Sequence, residues 1–68
     1  MALTKLQGLI QQVANGHDLS VSEMREAIVM IMQGKANDAQ IAGFLIGLKA
    51  KGETVDEIYG AAEVMREL

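Results

Sequence analysis

Apolar residues recur along this chain in four stretches, each at the three- and four-residue spacing of one helix face. Leu3, Leu6, Ile10 and Val13, with Leu9 beside them, predict a helix over residues 3–14. Val21, Met24, Ile28, Ile31 and Met32 form the stripe of a second over 21–33. Ile41, Phe44, Leu45 and Leu48 give the core face of a third over 38–51. Val55, Ile58, Tyr59, Ala62 and Met65 line one side of a fourth over 55–68, with Val64 and Leu68 pointing elsewhere.

The punctuation between the stretches agrees with this division. Ser20, Asn37 and Thr54 each stand three residues before Glu23, Gln40 and Glu57, the spacing of a capping box that satisfies the free amides opening a helix. Gly16, Gly34 and Gly52 precede those caps and supply the positive φ that closes a helix. The expected fold class is therefore all-α, a small bundle of four short helices. Its short links favour antiparallel or sharply angled neighbours. The last helix carries no stop signal, so the chain is expected to be a piece cut from a longer protein.

The third helix departs from ordinary amphipathicity. Opposite its core face lie Ala39, Gly43, Gly47 and Ala50, with Ile46 on the shoulder. Two mid-helix glycines cost about 1 kcal/mol each, which close approach of another helix would offset. A helix apolar on all sides is expected to be covered on all sides. Either a neighbour within the bundle or a second chain can supply that cover. Val29, Met30 (beside Glu23 and Glu26), Ile46 and Val64 add further apolar positions outside the expected core.

Composition narrows the chemistry. Half the residues are apolar, the net charge is −3 and the pI is about 4.9. Lys5, Arg25, Lys35, Lys49, Lys51 and Arg66 are scattered among acids, and one Tyr and one Phe give no stacking platform, which argues against nucleic acid. The longest apolar run, Ile41 to Leu48, falls far short of a bilayer span, which argues against a membrane partner. Cysteine is absent, so disulfides and Cys-ligated zinc are excluded, and a cytoplasmic location is expected.

His17, beside Asp18, has no nucleophile motif or second histidine near it and reads as an exposed loop residue. Glu23, Glu26, Asp56 and Glu57 fall in first helical turns, where capping, the helix dipole and solvation account for them. Asp18-Leu19-Ser20 reverses the Asp-Ser-Leu order of carrier proteins, and Ser20 is already a cap.

An ordered set of short motifs carries a resemblance. It runs Leu19-Ser20-x-x-Glu23, Gly34, Asp38-Ala39-Gln40-Ile41-Ala42-x-Phe44-Leu45, Leu48-Lys49-Ala50-Lys51-Gly52-Glu53-Thr54, Glu57-Ile58, Gly60-Ala61-Ala62 and Met65-Arg66. From Asp18 to Glu67 the chain resembles the N-terminal helical domain of glycosyl transferase family 3 and the class II nucleoside phosphorylases. Lys51-Gly52-Glu53-Thr54 and Gly60-Ala61-Ala62 resemble the anthranilate phosphoribosyltransferase branch more than the pyrimidine nucleoside phosphorylase branch.

The resemblance implies a helical domain joined to a larger α/β domain that is absent from residues 1–68. It implies a parent transferase in tryptophan biosynthesis, moving phosphoribose from phosphoribosyl pyrophosphate to anthranilate with magnesium. The glycine-rich pyrophosphate loop, the magnesium acids and the anthranilate contacts are not in this sequence. No catalytic, cofactor-binding or metal-ligating residue is therefore assigned, and the fragment alone is expected to be inactive.

Its expected role is dimerisation and support of the interdomain cleft, with its own catalytic domain and a second copy as partners. The candidate dimer surface comprises Leu6, Leu9, Ile10 and Val13 of the first helix with Ala39, Gly43, Ile46, Gly47 and Ala50 of the third. On that view Gly47→Leu blocks self-association and leaves the monomer helical. The alternatives are a free-standing helical interaction module, or the same domain from a pyrimidine nucleoside phosphorylase. The coding sequence beyond Leu68 discriminates the module from the enzyme piece.

Overall fold

A computed structural model describes residues 5–67. It contains α1 (Lys5–Ala14), α2 (Val21–Met32), α3 (Asp38–Lys51) and α4 (Val55–Glu67), with no strand among the described residues. Leu3 and Leu68 lie outside them.

All three capping boxes are formed. Ser20 Oγ accepts from the Glu23 amide at 3.1 Å, while Glu23 Oε1 accepts from the Ser20 amide at 2.9 Å. The Asn37–Gln40 pair does the same at 2.8 and 3.0 Å, and the Thr54–Glu57 pair at 3.1 and 2.8 Å. Gly16 and Gly34 adopt φ of +81° and +74°, which lets the next amide turn back onto the helix it leaves. His17 N–H thus reaches Gln12 O, and Lys35 N–H reaches Met30 O, each at 3.0 Å. The second helix stops at Met32, with Gln33 as its cap.

The packing partners are not sequence neighbours. The dense contacts are α2 with α4 and α1 with α3, whereas α3 and α4 share almost none. Register shows that each pair runs in the same sense. Gly43 faces Ile10 and Gly47 faces Val13, while Gly60 faces Val21 and Met24 and Glu63 faces Arg25. The expectation of antiparallel neighbours along the chain gives way to alternate helices running side by side.

The core gathers Leu6, Leu9, Val13, Leu19, Met24, Ala27, Phe44 and Leu48. Three expectations about faces are corrected. Leu45 is 55% exposed, because α3 turns Phe44, Gly47 and Leu48 inward instead. Met30, expected beside the glutamates, packs against the core, and Met32 is the exposed large apolar residue of α2. In α4 the buried residues are Glu57, Gly60 and Val64, so the stripe of Val55, Ile58, Tyr59, Ala62 and Met65 faces outward.

The physical reason for the last correction lies in Gly60. A β-carbon there would stand 2.7 Å from Val21 O and 3.1 Å from Met24 Cβ. Only a glycine lets α4 press this closely on α2 with that side inward.

Candidate interaction surfaces and a buried ion pair

The N-terminus of α4 is tied down by Glu57, which sequence reading placed as a solvated cap residue. The capping role holds, but the side chain is 0% exposed. Its Oε2 accepts from the Leu19 amide at 2.7 Å. Its Oε1 accepts from the Thr54 amide at 2.8 Å and from Lys51 Nζ at 2.7 Å. Lys51, whose side chain is 4% exposed, also donates to Asp18 Oδ1 at 3.1 Å and to Gly52 O at 2.9 Å. One carboxylate therefore links the α1–α2 connection, the C-terminal end of α3 and the start of α4.

Burial pushes the Glu57 carboxyl upward, but the Leu19 amide, Lys51 and the Thr54 amide outweigh it and hold the group below its ordinary value. Burial likewise pulls Lys51 down, and its bonds to Glu57 and Asp18 more than reverse this. These contacts favour the ionised form of both groups, and the pair holds the fold together. Sequence reading missed it because the donors come from positions up to 38 residues away. Lys51-x-x-Thr54-x-x-Glu57, a lysine spaced ahead of a capping box, was the available signal.

Beside this pair lies an open apolar groove between α3 and α4, about 350 Å³ in volume. Its floor is Met24, Ile28 and Phe44, and its walls include Leu45, Ile58 and Met65. The walls are greasy and wet: Ile58 is 56% and Met65 59% exposed.

The predicted dimer residues divide. Leu6, Leu9, Val13 and Gly47 are covered by the chain's own helices. A β-carbon at Gly47 would stand 2.8 Å from Val13 Cγ2, so the small residue serves the α1–α3 contact inside the bundle. Ile10 and Gly43 are half-buried, while Ala39, Ile46 and Ala50 remain exposed on one stripe of α3. The apolar excess expected at Met30, Val29 and Val64 is taken up by the fold, wholly at Val64, and only Ile46 of that group, 67% exposed, is open.

His17 is exposed at the α1–α2 turn, and Glu26 pairs with Lys5 at 3.6 Å. Arg25 clamps Glu63 and Glu67 of α4 at 3.1 and 2.9 Å. No group of three or more His, Asp or Glu side chains among the described residues is placed to hold a metal ion. The magnesium that the resemblance implies for the parent enzyme has no fitting donor set among the described residues. No helix among the described residues is long and apolar enough to cross a membrane.

Residues 7–68 match the family model described as glycosyl transferase family, helical bundle domain. The chain belongs to this family. Curated proteins named anthranilate phosphoribosyltransferase are similar to this glycosyl transferase helical bundle over most of its length. The one from Alkalilimnicola ehrlichii is 59% identical over 93% of the chain and 19% of its own length. That from Marinobacter nauticus is 52% identical over 87% of the chain and 17% of its own, and that from Hydrogenovibrio crunogenus 48% over 94% and 19%. The chain thus spans about a fifth of the length of the curated relatives it matches. The motif set read from Asp18 to Glu67 falls within the matched residues.

Proposed function

We propose that this helical bundle is the N-terminal, non-catalytic domain of an anthranilate phosphoribosyltransferase. It serves by supporting one side of the interdomain cleft and by pairing with a second copy. The observation that carries the reading is the identity of 48–59% to proteins of that name across most of the bundle. The reaction itself, transfer of phosphoribose from phosphoribosyl pyrophosphate to anthranilate, belongs to polypeptide outside this chain. The exposed stripe Ala39, Ile46 and Ala50, with half-buried Gly43 and Ile10 beside it, supports a contact between two copies along α3. Small residues there let a second backbone approach closely.

The test is a chimaera in which this chain replaces the matching segment of the Alkalilimnicola ehrlichii relative. Retained consumption of anthranilate, followed by its fluorescence in the presence of phosphoribosyl pyrophosphate, is expected. A folded chimaera that consumes none overturns the reading. Self-association is tested separately with Ile46→Glu in analytical ultracentrifugation. Loss of the dimer is expected, and an unchanged sedimentation profile removes α3 as the contact. Gly47→Leu is unsuitable for that purpose, because it breaks the monomer's own packing.

A further inference from the structure

An amphipathic helix left to itself turns its apolar stripe toward the core. α4 does the reverse, burying a carboxylate while Ile58, Tyr59 and Met65 face water. The apolar side of α4 also borders an unfilled groove whose far wall carries Leu45. Rotation of α4 about its axis would swing Ile58 and Met65 onto Phe44 and Leu45 and close that groove. Something must oppose this collapse.

We propose that Glu57 is a rotational pin, fixing which face of α4 meets the bundle and thereby holding the α3–α4 groove open. Its two oxygens take three donors from three separate places: the Leu19 amide, the Thr54 amide and Lys51 Nζ. Leu19 is itself buried, and the Lys51 side chain is almost so. Turning α4 would strand the buried Leu19 amide without its acceptor and take from Lys51 its buried carboxylate, leaving that ammonium only Asp18 Oδ1 and Gly52 O, a penalty that neutral packing does not repay easily. Gly60 permits the close seat on α2, and Glu57 selects it over the greasier alternative. A buried polar group here supplies specificity of arrangement, a role attested elsewhere for single buried polar residues.

The chain contains no cysteine, so single thiol reporters are clean. Ala62→Cys lies at the centre of the outward stripe and Val64→Cys on the buried side. With Glu57 present in the full 68-residue chain, the thiol at 62 is expected to alkylate fast and the thiol at 64 slowly. In Glu57→Leu, with helicity held by circular dichroism, the order of the two rates inverts. In Glu57→Gln, which keeps the shape and loses the charge, the ratio of the rate at 62 to that at 64 falls, with the rate at 62 itself slowing. Glu57→Gln decides the matter if Glu57→Leu does not fold. An unchanged ratio in that variant overturns the pin. So does a joint acceleration at both sites, which would make Glu57 a general stabiliser rather than a selector.

Discussion

Val13 Cγ2 occupies the space where a side chain at Gly47 would begin, 2.8 Å from the site of its β-carbon. The Ala14 amide nitrogen stands close behind at 3.5 Å. α1 and α3 therefore meet almost backbone to backbone, and the glycine belongs to the monomer. Gly47→Ala should destabilise the bundle by about 1 kcal/mol, a middling overpacking cost of roughly 2 kcal/mol less the helix-propensity gain of roughly 1 kcal/mol. The midpoint of urea unfolding measures it.

Gly60→Ala should be worse. The obstacle at 2.7 Å is the Val21 carbonyl oxygen, and a backbone atom inside a helix yields less than a valine methyl. The expected loss is about 2 kcal/mol, an overpacking cost of roughly 3 kcal/mol less the same helix-propensity gain of roughly 1 kcal/mol. Gly8→Ala is the control. Nothing lies within 4 Å of a β-carbon at Gly8 in the middle of α1, so that change should raise stability by about 1 kcal/mol. Thermal melts of the three variants should rank Gly8→Ala above the parent, then Gly47→Ala, then Gly60→Ala.

Acid should unfold the bundle through its capped carboxylates. Glu57 and Glu23 are both held below the ordinary 4.5, so each contributes stability that is fully present above that value. The contribution is lost as pH falls through their lower folded values. Glu57→Gln should flatten the fall of melting temperature in this acid window while lowering it at neutral pH. A parent whose melting temperature holds level down through that window contradicts the assignment.

Arg25 offers a contrast in magnitude. Its bonds to Glu63 and Glu67 join α2 to α4, but its side chain is 33% exposed and that of Glu67 is 59% exposed. Arg25→Ala should cost far less stability than Gly60→Ala, and the difference from the parent should shrink in high salt. Chemical denaturation at two ionic strengths checks both statements.

The ends of the helices were legible because the signals are local. A cap at Ser20 is read from Glu23 three residues on, and a stop at Gly16 or Gly34 from the glycine itself. Periodicity likewise grouped Val55, Ile58, Tyr59, Ala62 and Met65 correctly onto one side of α4. It gave no means of telling which side the bundle would choose. That choice rests on Gly60 against Val21 and on Glu57 against Leu19, both contacts between residues more than 35 apart. Gly60 was the readable hint because it sits opposite the apolar stripe, although Gly8, with nothing within 4 Å, shows that a mid-helix glycine does not by itself mark close approach. The candidate contact between copies was legible only in part. Residue type pointed to α1 and the small side of α3, but burial inside the bundle claims Leu6, Leu9, Val13 and Gly47.

Pairing of alternate helices sets an order on synthesis. As the polypeptide emerges from the ribosome, α1 and α2 together make only a slight contact, and neither gains its main companion from the other. α1 must wait for α3, and α2 must stay half-dressed until α4 is out. Glu57 opens α4 and bonds back to Leu19, so a nascent chain halted before residue 57 lacks both the clasp and the second helix couple.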